Sequence, residues 1–396
     1  MSVFDFPPNS FKGIVNQFIA GLPESIPKIM ELPAKTQNTL PKSSFGTGYI
    51  TQDGKKVVKQ LDLQRQIEKI ERDNMDISYL TESLSDELIN YHAISSLCPT
   101  YFCRLFGYHY EEQYMLLSII MENCGKDLRT IYDNNIVPLK STDFFIGQII
   151  NILVCLHTNG YVHFDLKLEN LVFDNGHIKA IDAGTLTKVN NSEITQVFRR
   201  GTRSYMAPEL NREKINNDNN LKSTDIYSFG ITCLQMLLAS RISERQIQLS
   251  KRQNQLSDEQ NQLYERQIQL FFSNPRSYVS LTDRQIATLT DSKKSIRSVI
   301  LDTILAELKK LFGSDITIEH FFSIDIEKRL TINEIRLRFD QRQMISNAPI
   351  INAPIINAPI SNAPISNAPI INENSMQIDG GSHKKSSRKN GSRKRG

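Results

Sequence analysis

With 396 residues, 39% of them hydrophobic and 23% charged, the chain is long enough for one two-lobed domain with extensions or for two ordinary domains. Its five cysteines, Cys98, Cys103, Cys124, Cys155 and Cys233, show neither paired nor metal-type spacing. That argues against a disulfide framework and a zinc site and favours a reducing, intracellular compartment. Net charge is +4, but Lys384, Lys385, Arg388, Lys389, Arg393, Lys394 and Arg395 leave the rest of the chain at 4 − 7 = −3, so the basic character belongs to the tail.

Residues 1–40 mix apolar residues with five prolines and read as an extension. Met1-Ser2-Val3-Phe4-Asp5 lacks the basic stretch and apolar run of a signal peptide. Strand character begins near Phe45. Tyr49-Ile50-Thr51-Gln52 and Lys55-Lys56-Val57-Val58-Lys59 flank Asp53-Gly54, the signature of a hairpin. A polar, helix-prone stretch follows to about Leu97, and a second strand pair is expected around Tyr114–Met121. From Asp143 onward helical patterns dominate, notably 144–150 and 225–238. No stretch approaches the ~18 apolar residues needed to span a bilayer. A small strand-rich part followed by a larger helical part is an α+β, bilobal plan.

Two repeats interrupt and close this pattern. Residues 244–271 hold four seven-residue units, each with one leucine (Leu249, Leu256, Leu263, Leu270). The second apolar position of a coiled-coil seam is filled by Arg, Glu or Gln, so a solvated helical insertion at about 241–275 is preferred to a dimerising zipper. Residues 346–370 repeat (Ser/Ile)-Asn-Ala-Pro-Ile five times. Proline at every fifth position rules out a regular helix and makes 343–374 a semi-extended linker to the basic tail, 375–396. The tail suits contact with nucleic acid or an acidic partner, or simply solubilises the end.

The chemistry concentrates in Tyr161-Val162-His163-Phe164-Asp165-Leu166-Lys167-Leu168-Glu169-Asn170, with Asp182 twelve residues on in Ile181-Asp182-Ala183-Gly184. This run resembles the eukaryotic-type protein kinase family, in its serine/threonine branch. Phe164 stands in place of the catalytic-loop arginine, and Ala183 in place of the phenylalanine after the metal-binding aspartate. The resemblance covers about residues 42–342, with a small lobe at 41–121 and a large lobe at 122–342. It implies a kinase fold, ATP and Mg²⁺ as cofactors, and transfer of the γ-phosphoryl group to protein hydroxyls. Such transfer runs through a loose transition state, so the protein's task is mainly positioning and charge neutralisation.

By the same resemblance, Asp165 orients the substrate hydroxyl, Lys167 contacts the transferring phosphate, Thr202 supports both, and Asn170 with Asp182 holds Mg²⁺. Lys59 binds the α- and β-phosphates. Its acidic partner is Glu87, with Glu82 as competitor. Met121 is the gatekeeper, and backbone groups of Glu122 and Cys124 face adenine. The phosphate-covering loop is degenerate: in Ser43-Ser44-Phe45-Gly46-Thr47-Gly48-Tyr49, the two glycines fit either the first or the last part of the family pattern. Asp225 braces the catalytic loop, and Arg329 pairs with Glu209. Without the arginine at Phe164, phosphorylation of Thr195 lacks its usual anchor. Lost bulk at Ala183 leaves space for Tyr91 or another large side chain. A pseudokinase scaffold is the competing reading.

Overall fold

A computed structural model describes residues 10–43, 46–134, 137–182, 184–189, 201–211, 218–251 and 291–345. Ala183, Thr195, the heptad units beyond Lys251, the Asn-Ala-Pro-Ile linker and the basic tail lie outside the described residues.

The strand-rich part is one antiparallel sheet of five strands: β1 (Lys35–Ser43), β2 (Gly46–Thr51), β3 (Lys56–Asp62), β4 (Leu105–Glu111) and β5 (Leu116–Glu122), in spatial order β1-β2-β3-β5-β4. The β2–β3 turn is built as its Asp-Gly signature demands. Gly54 adopts φ +70 and donates to Thr51 O at 2.8 Å, while Asp53 accepts from Thr51 Oγ1 and from the Lys55 amide. The second hairpin starts earlier than its apolar pattern suggested. β4 opens at Leu105, and a 3₁₀ turn at Glu112–Tyr114 links it to β5. Central β3 is flanked on both sides: Lys59 pairs with Gly48 of β2 and with Ile119 of β5.

The N-terminal stretch, legible in the sequence only as an extension, packs from residue 10 onward. Helix α1 (Phe11–Ala20) is capped by the Ser10 side chain, which accepts from the Gly13 amide. Beyond it, Tyr108 donates to Pro27 O, the Ile29 amide donates to Tyr108 O, and a parallel bridge joins Lys28 to Tyr108 on edge strand β4. The chain then crosses one face of the sheet, where Ile29 and Leu32 pack on Tyr49, Val58 and Ile120, before entering β1 at the opposite edge. This strap covers both an exposed strand edge and an apolar face, two liabilities of a small sheet.

Between β3 and β4 the chain forms α2 (Leu63–Arg72), α3 (Ser78–Ser85), a π turn at Asp86–Asn90 and α4 (Tyr91–Leu97). Asp62 caps α2 through the Arg65 amide. The π turn, marked by the Tyr91 amide donating to Asp86 O, falls on Glu87, a placement typical of functional positions.

The helical part follows a connecting segment through β6 (Lys126–Asp127) and α5 (Leu128–Asn134). It comprises α6 (Leu139–Thr158), β7 (Tyr161–Val162), β8 (Leu171–Asp174), β9 (His177–Ala180), β10 (Thr187–Lys188), α7 (Asp218–Lys251), α8 (Asp291–Phe312), α9 (Glu319–Phe322) and α10 (Ile332–Ile345). α7 carries the helix on into the first heptad unit. By length and composition α6 is apolar enough to cross a bilayer, contrary to the sequence expectation, but more than half of it is buried here. Phe145, Ile149, Ile152, Leu153 and Leu156 are core residues packed beneath α7, α10 and β9.

The cysteine reading is corrected. Cys98 is bonded to Cys155 and Cys103 to Cys124, with Cα atoms 6.3 and 6.2 Å apart; Cys233 is free and buried. Partners 57 and 21 residues apart leave no local spacing signal, because folding alone brings them together.

Candidate active site

Lys59 owes its position to strand register. On the central strand, its side chain leaves the sheet toward the helix that carries Glu87. Lys59 Nζ lies 2.9 Å from Glu87 Oε1 and 2.9 Å from Asp182 Oδ1, so Glu87, not Glu82, is its partner on that helix. Burial alone would lower the Lys59 pKa, but the two carboxylates outweigh it and raise it. The Lys59 ammonium, against the effect of burial, brings Asp182 down to about 2. Burial pushes Glu87 up despite the neighbouring lysine. Asn90 adds a second tether, donating to Asp86 at 2.7 Å and to Leu186 O at 3.0 Å, which ties the π turn to the segment following Asp182. Gly184 packs close to this pair: a Cβ there would stand 3.0 Å from Glu87 Oε2, so the carboxylate would have to give by a few tenths of an ångström.

A second cluster surrounds Asp165. Its Oδ1 accepts from the Thr202 amide at 2.7 Å, and its Oδ2 accepts from Lys167 Nζ at 2.6 Å and from Asn170 Nδ2 at 3.2 Å. Lys167 Nζ reaches Thr202 Oγ1 at 2.7 Å as well, so one ammonium bridges the carboxylate and the hydroxyl. Asn170 Nδ2 also donates to Asp165 O at 2.8 Å. With its amide nitrogen committed, Asn170 has Oδ1 as its donor to a cation. That oxygen and the ionised Asp182 carboxylate make a hard-oxygen set suited to Mg²⁺. Gly201, at φ +93, lets the chain carrying Thr202 pass close to the loop; a Cβ there would meet Phe164 O at 2.4 Å.

The loop beneath is held by Asp225, whose fully buried carboxylate accepts from the His163 amide (2.9 Å), the Phe164 amide (2.9 Å) and His157 Nε2 (3.0 Å). His157 is not among the sequence-predicted residues; its only signal is a histidine in the last turn of a helix whose second half is mostly apolar. Phe164 sits at φ +61, and its ring joins Val162, Val189, Met206, Leu210 and Leu221 in an apolar cluster. Below, Arg329 grips Glu209 through both guanidinium Nη atoms at 2.5 and 2.9 Å, and also donates to Ser323 O and Ser223 O.

At the edge of the site, Met121 and Glu122 end β5, and Cys124 lies in the connecting segment. The Glu122 carboxylate is bound by Lys179 Nζ at 2.9 Å and by the Arg104 amide at 3.1 Å. Donor atoms of Cys103, Glu122 and Cys124 lie within 4.8 Å of one another, but the two sulfurs are bonded to each other. Gly46 and Gly48 are strand residues of β2. The close approach at Gly46 is to β3, where a Cβ would fall 1.8 Å from Gln60 O. Residues 44–45, between β1 and β2, lie outside the described residues. Tyr91, one turn beyond Glu87, is buried edge-on against Phe102 at 6.1 Å, its hydroxyl without a protein partner.

The two clusters adjoin: the Ile181 amide, next to Asp182, donates to Asn170 O at 2.9 Å, so the Lys59–Glu87–Asp182 group follows directly on the Asp165–Lys167–Asn170 group. The chain is 33% identical over 125 residues to the Rho-associated protein kinase let-502 of Caenorhabditis briggsae, covering 31% of this chain and 10% of that protein. It is 27% identical over 222 residues to the serine/threonine-protein kinase KIC1 of Saccharomyces cerevisiae, covering 54% and 19%. It is 24% identical over 243 residues to human Rho-associated protein kinase 1, covering 59% and 17%. The chain thus spans no more than a fifth of the length of these relatives. Residues 47–336, well over half of the chain, match the protein kinase domain, and the chain belongs to the protein kinase family.

Proposed function

We propose that the chain is a serine/threonine protein kinase that transfers the γ-phosphoryl group of Mg·ATP to protein hydroxyls. The observation that carries this reading is the single ammonium of Lys167 set between Asp165 Oδ2 and Thr202 Oγ1. A carboxylate next to a cation and a hydroxyl is arranged to hold an incoming serine or threonine side chain while the cation meets negative charge on the group being transferred. Asp165 accepts the hydrogen bond of the substrate hydroxyl and aims its oxygen. Lys59, fixed by Glu87, meets the α- and β-phosphates. Met121 borders the adenine site, with backbone groups of Glu122 and Cys124 facing the base, and Gly46 and Gly48 lie on the strand beneath the phosphates. Asn170 and Asp182 hold Mg²⁺, which when bound screens the phosphate charge.

The test is γ-phosphoryl transfer from Mg·ATP to a generic basic protein by the full chain, with the phosphorylated residue type identified. Replacing Asp165 by Asn keeps the shape and removes the acceptor charge; a fall on the order of 10²–10⁴-fold is expected. Phosphoserine or phosphothreonine that vanishes in D165N supports the reading. Nucleotide binding without any transfer by the parent would replace it with that of a kinase-shaped scaffold.

A further inference from the structure

We infer that the two disulfides form a redox clamp at the joint between the lobes, holding the Glu87 helix and the connecting segment in the arrangement that closes the Lys59–Glu87 pair. Cys98 caps the end of α4, the helix that continues from the Glu87 turn, and Cys155 lies near the end of α6 in the helical part. Cys103 precedes β4, and Cys124 lies in the connecting segment between β5 and β6. Each bond therefore joins an element of the sheet lobe to one at or beyond the joint.

The short stretch from Cys98 to Cys103 is pinned at both ends, and what lies on it explains why this matters. Tyr101 O accepts from the Ala180 amide at 2.8 Å, and Phe102 bridges Ala180, the last residue of β9, two positions before Asp182. Phe102 also meets the ring of Tyr91, one turn from Glu87. One pinned stretch thus touches both the strand leading to Asp182 and the helix carrying Glu87. Releasing its ends lets both partners of Lys59 drift.

At the Cys98–Cys155 bond the surroundings suit exchange. Asn159 Nδ2 stands 3.7 Å from Cys98 Sγ and 3.8 Å from Cys155 Sγ, a donor placed to stabilise a thiolate on either sulfur. Cys98, Cys103 and Cys124 are buried, so a reductant reaches them only when the joint opens. The bonds close by thiol–disulfide exchange with a small-molecule disulfide of the glutathione type. A protein thiolate attacks the small disulfide and expels one thiol. The second protein thiolate then attacks the mixed disulfide and expels the other. The protein pair loses two electrons and two protons, and the small disulfide leaves as two thiols.

The clamp rests on the proposed nucleotide site only for its effect on ATP. Full-length protein equilibrated with oxidised or reduced glutathione is denatured, its thiols are counted and its disulfide peptides mapped. One thiol, Cys233, is expected after oxidation and five after reduction, with Cys98–Cys155 and Cys103–Cys124 as the mapped bonds. Reduction is expected to lower the Tm by several degrees, on the order of 5–10 °C, and to speed amide exchange in the 86–97 helix. The double variant C98S/C155S loses the greater part of both responses. Mg·ATP affinity is expected to fall about threefold or more on reduction, since the site is then less preorganised. Five thiols in the oxidised protein, or an unchanged Tm and helix exchange on reduction, overturns the clamp. Absence of ATP binding in both redox states counts against the proposed function instead, while thiol counts, Tm and exchange still decide the clamp.

Discussion

At Lys59 a single ammonium neutralises two carboxylates, and the pH response follows from which of them it dominates. Asp182 is held at about 2, below the ordinary aspartate value of 3.8, so its contribution to stability is in full above 3.8 and is lost as pH falls toward 2. In K59M that contribution is absent. The gap in urea midpoint between parent and K59M should therefore shrink as pH is lowered from about 4 to about 2. Burial raises Glu87 above its ordinary value, which moves its titration away from the acid end of this window. A gap that stays constant across this window would show that Lys59 does not hold Asp182 ionised. Phe164 makes a different kind of prediction. Its ring is 1% exposed in an apolar cluster, so restoring an arginine in F164R buries an unpaired charge. We expect F164R to lose about 2–4 kcal/mol of stability by denaturant titration. We also expect phosphatase treatment to leave the parent's transfer rate within about twofold, because no cation stands at residue 164 to anchor a phosphate. A large loss of activity after dephosphorylation would contradict this.

Among elements, the strap shows where sequence legibility ends. The β2–β3 hairpin was readable because Asp53-Gly54 sits between alternating apolar residues, and the catalytic loop because its polar residues are contiguous. Lys59 became readable once its strand was placed. Glu87 was separable from Glu82 only by tertiary geometry, since both lie on one polar helical stretch and the π turn that aims Glu87 has no local signature. The strap gave no signal at all: its proline-rich stretch pairs with a strand some 80 residues later in the chain. Its strongest constraint is Gly107, at φ +144, where a Cβ would meet Pro27 O at 2.1 Å. G107A should detach the strap from β4, costing about 1–3 kcal/mol. Amide exchange at Ile29 and Tyr108 should rise together; protection retained at both would show that the strap does not depend on that glycine.

At the scale of the whole molecule, two buried charged groups among the described residues tie separate elements together. Asp225 ties the loop of His163 and Phe164 to α7, and Arg329 ties α10's approach to Glu209. The Glu209–Arg329 pair is almost fully enclosed, with side-chain exposures of 5% and 0%, and the guanidinium also lies over Tyr227 at 5.2 Å. Removing only the cation in R329M strands Glu209 without its counter-ion. Loss of about 3–5 kcal/mol is expected by denaturant unfolding, and E209Q/R329M should recover part of it because the orphaned charge is gone. Equal stability of the single and double variants would mean that packing of the arginine, not its charge, is what the helical part needs.

The family match begins at residue 47, yet the chain's own small lobe begins far earlier. Trimming the protein to that match would delete β1, Gly46 of β2, and the strap, baring Tyr49, Val58 and Ile120 on one face and the backbone of β4 on one edge. An apolar face beside an open strand edge is the template on which misassembled chains stack. Insolubility of such a shortened form would therefore reflect where it was cut, not a defect of the catalytic domain.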